Sequence, residues 1–424
     1  VRWRRWVLLT VFTGLAAVAQ GCGSDNNSKP DASDAGFMTM GMPGIPSPTR
    51  VGANLVFADV AVDGKTGGRL GVDTGSPVVL VDATRFPGLT LPAQPQVMGD
   101  LTVGELTVND VPIVPMTFGS GMDPLNFAGL LGGDVMRQFS VRFDYANPDR
   151  AFRLGMPAME MATEGVETPG NSVGFTLEGG GLARLMSGDV IPFVATRIPV
   201  DVEVEGTMHR FIVDTGASET AVRSSVYSTL AADGRAQLMG LPITTVMGSS
   251  TASVLRVRTL TAAGATVTTP VVMTMGDDLL DGLAMEVNHS VDGLLGGNFL
   301  REFMVTIDYP QGVLHLQRYT NATIVDEFKR VGVELGSSGG AHHYAVARVY
   351  PGTDAATKQV NVGDEVVSVD GQALDPLDPV TADDLLNGPV GSSKTIAFGS
   401  AHAAALANTT VSIRVDDLVP APRP

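Results

Sequence analysis

The sequence predicts a mainly β chain: two β lobes of like design followed by a third, smaller β module. Three observations predict it. Gly is abundant at 50 of 424 residues while aromatic residues make up only 6%, a mix that suits short strands and turns over long helices. Alternating apolar and polar stretches broken by Gly and Asp recur along the chain, as in FADVAVDGKTGGR at 57–69 and VDVEVEGTMHR at 200–210. One block also occurs twice, which divides the middle of the chain into two equivalent parts.

The chain begins with Arg2, Arg4 and Arg5 ahead of the apolar stretch Val7–Ala19, then Gly21-Cys22. That stretch is too short for a confident membrane span and fits a targeting segment. It resembles a bacterial lipoprotein signal peptide over residues 1–21, although Ala19 and Gln20 depart from the usual residues before the cysteine. The resemblance implies Cys22 as the lipidation site and a cell-envelope location. The protein would be tied by its lipid to the outer membrane, the periplasmic face or the cell surface. An ordinary secretory signal with a chance cysteine is the alternative. Residues 22–48 are rich in Gly, Ser, Asn, Asp and Pro and read as a flexible tether.

Composition narrows the remaining classes. Hydrophobic residues at 44% and charged residues at 17% exclude a disordered chain. The net charge is −17, and loss of the three leader arginines takes it to −20; such a chain repels phosphate backbones and makes a poor nucleic-acid binder. A single cysteine excludes an intrachain disulfide framework and a multi-cysteine metal site. The six histidines include the adjacent pair His342-His343 but no helical i,i+4 pair, so no metal and no cofactor is expected. The acidic run Asp277, Asp278 and Asp281 reads as a solvated loop, and the eighteen methionines read as adaptable core filler.

The repeat carries the chemistry. GLLGGDVMRQFSVRFDY at 129–145 and GLLGGNFLREFMVTIDY at 293–309 agree at ten of 17 positions. Upstream of each lies an apolar strand ending in Asp-Thr-Gly, at Asp73-Thr74-Gly75-Ser76 and Asp214-Thr215-Gly216-Ala217. Gly permits a tight turn and close backbone approach there. Two such loops from homologous repeats can bring their carboxyls within about 3 Å, where they cannot both ionise and share one proton. One carboxylate then activates water while the protonated partner polarises a carbonyl, which suits peptide hydrolysis without a covalent intermediate. Ser76 is expected to hydrogen-bond Asp73.

From Asp73 to Gly129 is 56 residues and from Asp214 to Gly293 is 79, so the second copy carries 23 more. They are expected near Leu241–Leu260, as a hairpin turning at Gly248-Ser249-Ser250; Gln94–Val114 carries a weaker hairpin signal in the first copy.

Over roughly residues 50–320 these features resemble the retropepsin-like and pepsin-like aspartic proteases, on the two Asp-Thr-Gly elements and the Leu-Leu-Gly elements at 130–132 and 294–296. The resemblance implies two acid-protease β-barrel lobes, at 49–156 and 185–320. It implies Asp73 and Asp214 as catalytic, with Thr74, Gly75, Ser76, Thr215, Gly216 and Ala217 supporting their loops and the two threonines interlocking. It also implies a substrate-covering flap in the second lobe only, at Val246, Met247, Gly248, Ser249 and Ser250. Two copies in one chain suit a monomer with an intrachain pair, and a homodimer of like lobes stays open.

From Thr323 the texture changes. A strand at 329–335, PGTDAA at 351–356, VGDEVVSVDG at 362–371 and a short helix capped by Thr381 follow in order. This arrangement resembles a bacterial-type PDZ domain over 323–418. The resemblance implies peptide binding at the loop Gly332, Val333, Glu334 and Leu335, where backbone N–H groups would hold a peptide C-terminus. Glu334 is an acidic departure expected to weaken attraction for a carboxylate. The whole reads as a membrane-tethered aspartic endopeptidase acting on peptide or protein substrates, with a PDZ module for recruitment or regulation. A non-catalytic envelope scaffold that binds peptides is the alternative.

Overall fold

The structure is a computed structural model that describes residues 37–118, 127–156, 165–185, 188–245, 248–337, 343–399 and 406–422, together with Leu8–Leu9. Cys22 and the leader lie outside the described residues except Leu8–Leu9 (β1), which runs parallel beside Thr244–Thr245. Among the described residues no helix is long and apolar enough to cross a membrane.

The first lobe comprises β2 Thr39–Gly41, β3 Thr49–Gly52, β4 Leu55–Val62, β5 Lys65–Val72, β6 Val79–Val81, β7 Val97–Val103, β8 Leu106–Pro115, β9 Phe127–Leu131 and α1 Gly133–Met136. Its sheet runs β2-β8-β6-β9-β5-β4-β3, and β7 bridges β4 and β8. The expected tether therefore gives way to folded chain by Thr39, because β2 pairs with β8 and Ser47 bridges to Phe152.

Strands β10 Ser140–Asp144, β11 Phe152–Gly155, β12 Asn171–Gly174, β13 Gly181–Arg184 and β14 Val190–Phe193 lead to the second lobe. That lobe holds β15 Pro199–Val204, β16 Thr207–Val213, β17 Ala221–Val222, α2 Ser224–Ala231, β18 Gln237–Thr245, β19 Gly248–Arg256, β20 Thr259–Ala262, β21 Ala265–Thr268, β22 Val271–Thr274, α3 Asp277–Val287, β23 Gly293–Leu295 and α4 Gly297–Leu300. β24 Phe303–Asp308 and β25 Val313–Arg318 complete it.

The repeat dictates a shared knot in each lobe. Strand β9, the Gly-Leu-Leu element, lies parallel to β5 and antiparallel to β6, so it fills the gap between the two arms of the Asp73 loop. Strand β23 does the same between β16 and β17. The loop crosses so close over the end of β9 that a Cβ at Gly132 would sit 2.2 Å from the Val78 carbonyl oxygen; only glycine fits there.

The two copies also meet each other. β10 and β24 pair antiparallel across the lobe boundary, with Arg142 opposite Thr306. These residues hold the same place in the repeat, so a pseudo-twofold axis passes through this pair. The five-stranded sheet β11-β10-β24-β25-β12 ties the lobes, and one continuous apolar core runs through both.

Several expectations shift. The extra length of the second lobe is α2, the outer part of the β18–β19 hairpin and α3, rather than Leu241–Leu260 alone. The acidic run at Asp277 opens helix α3 instead of a loop, where carboxylates favour the positive end of the helix dipole. The weak hairpin of the first lobe is a full one, β7–β8, folded back onto β4 as barrel wall. A lobe boundary at 185 would cut the β13–β14 hairpin. Met38, Met40, Met42, Met98, Met156, Met208, Met239 and Met285 are exposed rather than core filler.

The C-terminal module contains β26 Lys329–Val331, β27 Val333–Ser337, β28 Tyr344–Val349, α5 Asp354–Thr357, β29 Glu365–Val369, β30 Gln372–Ala373, α6 Pro379–Asp384, β31 Ser393–Phe398 and β32 Thr410–Asp417, around its own core. Helix α6 starts before Thr381: Asp378 caps it, its carboxylate accepting from the Val380 and Thr381 amides. The module docks on both lobes. Val380 joins an apolar cluster of the first lobe, and Arg50 pairs with Asp378. Phe328, Tyr350 and Val419 join a cluster of the second lobe, where Arg256 donates to the Val419 carbonyl at 2.8 Å.

Candidate active site

Each Asp-Thr-Gly loop is braced by the element threaded through it. The Asp73 amide donates to the Leu131 carbonyl and the Asp214 amide to the Leu295 carbonyl, both at 3.0 Å. Gly133 and Gly297 donate their amides to the Ser76 and Ala217 carbonyls at 2.8 and 2.7 Å. Within each loop the amide two residues on closes back on the carboxylate, Gly75 to Asp73 at 2.7 Å and Gly216 to Asp214 at 2.9 Å. These amides hold one oxygen of each carboxyl.

The two loops then meet. The Thr74 hydroxyl donates to the Val213 carbonyl and the Thr215 hydroxyl to the Val72 carbonyl, both at 2.8 Å, and each hydroxyl accepts the partner threonine's amide at 3.0 Å. Loop geometry in one lobe is therefore set by the other. Asp73 and Asp214 are both 0% exposed. Burial drives the Asp214 carboxyl well above the usual carboxylate range, and the neighbouring Asp73 charge and a side-chain hydrogen bond between the two push it further the same way. The approach is close enough that a Cβ on Gly75 would stand 2.6 Å from the Asp214 carboxyl carbon.

Ser76 differs from expectation: its hydroxyl donates to the Val78 carbonyl at 2.8 Å rather than to Asp73. The expected flap lies on the β18–β19 hairpin, but Val246 and Met247 fall outside the described residues. Gly248, Ser249 and Ser250 lie in strand β19 rather than in a turn, and Gly248 pairs with Thr245.

One residue carried no signal in the sequence. Arg197 is 0% exposed, and its guanidinium donates to the Gly75 carbonyl while gripping Glu286 of α3 at 2.7 and 2.9 Å. Burial works against its charge, but Glu286, and then Asp73 and Asp214, hold the guanidinium protonated. The strand registers (Phe57 with Gly71, Pro199 with Ile212) put Leu55 at the corresponding place in the first lobe. The site is symmetric at its threonines and asymmetric behind them. A second difference is Asp134 against Asn298 at the same repeat position. Burial pushes the Asp134 carboxyl up to about 7. Among the described residues no group of three or more His, Cys, Asp or Glu could hold a metal ion.

In the C-terminal module Gly332 is pressed against Thr353, and Val333 to Leu335 run along β27, the edge strand. Glu334, expected as an acidic departure, is buried and bound by the Tyr350 hydroxyl and Arg348. The edge itself is engaged. Buried Arg330 donates to the Val333 carbonyl at 3.1 Å, Asp383 of α6 accepts from the Leu335 amide at 3.3 Å, and the two side chains pair at 2.6 and 2.8 Å.

The fold and these loops define a two-lobed aspartyl-protease-like unit bearing a PDZ domain. Comparison with known families agrees: residues 200–302 match the gag-polyprotein putative aspartyl protease family and residues 323–398 match the PDZ domain. The first lobe repeats the same layout outside the matched residues. No curated protein matches the chain. Among solved structures, a photosystem II D1 C-terminal processing protease is 26% identical over 21% of this chain and 23% of its own, with a TM-score of 0.20. This chain thus spans under a quarter of that protein, and the likeness carries no argument about the site.

Proposed function

We propose that the protein is an aspartic endopeptidase in which Asp73 and Asp214 form one catalytic pair. The observation that carries this reading is the pair of fully buried carboxyls on loops locked by the reciprocal Thr74–Thr215 contacts, with Gly75 of one loop close against the Asp214 carboxyl of the other. Two carboxyls in that arrangement hold a single proton between them over a wide pH range. The ionised member takes a proton from water as it attacks the peptide carbonyl, and the protonated member donates to the carbonyl oxygen. The tetrahedral intermediate then collapses as the amine leaves with a proton from one carboxyl and a hydroxyl returns its proton to the other, which restores the single shared proton. Water rather than a side chain is the nucleophile, so no covalent intermediate forms.

The β18–β19 hairpin would cover the substrate, and the PDZ domain would recruit a peptide segment or regulate access. The chain would be held at the cell envelope by a lipid on Cys22. The test is cleavage of unstructured peptides by purified full-length protein. Asp73→Asn and Asp214→Asn should each abolish it with folding retained. Loss with Asp214→Asn alone would sink the intrachain pair and point to a dimer of second lobes. Labelling with a radioactive fatty acid should depend on Cys22 and vanish in Cys22→Ser.

A further inference from the structure

Residues alternate between the two faces of a strand. Val72 and Val213, one before each aspartate, sit in the common core. Gly71 and Ile212 therefore face the opposite side, the side on which Asp73 and Asp214 stand. On that side each lobe presents a separate apolar cluster. In the second lobe it contains Ile212, Ala221, Met273 and Leu294. In the first it contains Leu80, Val114, Phe127 and Leu130, and a Cβ at Gly71 would touch the last two. The registers make Leu80 and Leu130 the counterparts of Ala221 and Leu294. These clusters are the apolar walls beside the carboxyls.

The wall of the second lobe is covered by Leu241, Ile243, Ala252 and Val254 of the β18–β19 hairpin, together with α3. Among the described residues the first lobe has no counterpart of that hairpin, since its own β7–β8 is built into the barrel. Its wall is covered instead by the β13–β14 hairpin between the lobes: Ala183 and Ile191 are buried in the cluster, and Leu185 and Phe193 pack against it. The outer face of that hairpin leaves Leu182 and Val190 64% and 48% exposed. The chain that follows runs straight to the site, with Thr196 against Gly133 and Arg197 bound to the Gly75 carbonyl.

We infer that the β13–β14 hairpin is the second jaw of the cleft and sets side-chain preference on the first-lobe side. With both carboxyls 0% exposed the cleft is shut, so a substrate reaches them only when a covering element lifts. The two jaws differ in origin and lining, so each governs one side of the scissile bond. Leu185, Ile191 and Phe193 shape the first-lobe side and Ile243 the second.

This inference rests on the protease reading, and its test separates the two. A library of unstructured peptides varied on both sides of a fixed bond is given to the wild-type protein and to Phe193→Ala, Phe193→Leu and Ile243→Ala. Phe193→Ala should cut kcat/KM about tenfold for peptides with large apolar residues on one side. Phe193→Leu should restore most of it, and Ile243→Ala should act on the other side. Equal losses on both sides, or none, overturn the assignment. Hydrogen exchange on Asp214→Asn with the same peptides needs no turnover. Protection at 188–193 together with 248–256 supports the second jaw, and protection confined to 248–256 overturns it. If the wild type cleaves nothing, the protease reading fails, and the exchange result still decides the jaw.

Discussion

The hydroxyls of Thr74 and Thr215 donate to the carbonyls of the residues that precede the opposite aspartates, Val213 and Val72. Each lobe thereby holds the other's Asp-Thr-Gly loop, with all four groups buried. Thr215→Val keeps the shape and removes the hydroxyl, leaving a carbonyl and an amide without partners. Unpaired buried groups cost roughly 1–3 kcal/mol each, so the unfolding midpoint in urea should fall clearly while Thr215→Ser stays near wild type. A Thr74→Val/Thr215→Val double variant should lose less than the sum of the singles, because the pair acts as one unit. Additive losses would speak against interlocking.

Gly75→Ala should abolish peptide cleavage. The added methyl meets the Asp214 carboxyl at 2.6 Å, so the two carboxyls must separate. Circular dichroism should show the fold retained, and a fully active variant would refute the close approach.

Arg197 and Glu286 form a buried pair around the Gly75 carbonyl. Removing one member strands the other charge, at a cost of about 3–5 kcal/mol, whereas an apolar replacement of both is often tolerated. Arg197→Met should therefore destabilise far more than Arg197→Met/Glu286→Leu in chemical denaturation. The double variant should also show a shifted pH–rate profile, since a positive charge beside the carboxyl pair has gone.

Asp134 makes a pH prediction with a definite sign. Its folded value, about 7, lies above the ordinary 3.8, so between about pH 4 and 7 the folded state holds the extra proton. Stability then falls as pH rises through that window, by on the order of 1.4 kcal/mol per pH unit at its steepest. Asp134→Asn, the residue already present at position 298 in the other copy, should raise the melting temperature at pH 8 and leave it nearly unchanged at pH 4. Asp384, also pushed up to about 7 by burial and then by Glu327 and Asp383, leaves a smaller slope in the same direction. A melting curve of the variant as steep in pH as wild type would rule out Asp134 as the cause.

Arg330 and Asp383 occupy the polar groups of β27 that an added peptide strand would use. Arg330→Met/Asp383→Leu should free that edge and raise affinity for hydrophobic C-terminal peptides at least tenfold in fluorescence polarisation. Unchanged affinity would show that peptides bind elsewhere or displace the pair at no cost.

The parts legible in the sequence are those where local pattern and backbone need coincide. Asp73-Thr74-Gly75 and Gly129 to Gly133 announce themselves because the crossing strands exclude a Cβ, and duplication made the pattern visible twice. The second-lobe hairpin was legible from β-rich arms, although Gly248 to Ser250 belong to a strand, because the strand register rather than the glycine decides how far the ladder runs. Arg197 gave no signal, since its importance lies in where β15 begins relative to a loop more than a hundred residues away. The β13–β14 hairpin was also hidden. Its glycines blur the alternation that marks a strand, and its burial depends on a wall built by the other lobe. Exposed methionines cannot be told from buried ones by composition alone.

A polypeptide has a direction, and a site with true twofold symmetry cannot sense it, because reversing the bound chain gives the same surroundings. Here Leu55 stands where the other half has Arg197, and the two walls are covered by hairpins of different origin. On the proposed reading, the two ways of laying a peptide across Asp73 and Asp214 would therefore be unequal in energy, and joining both halves in one chain would let the cleft favour one strand direction.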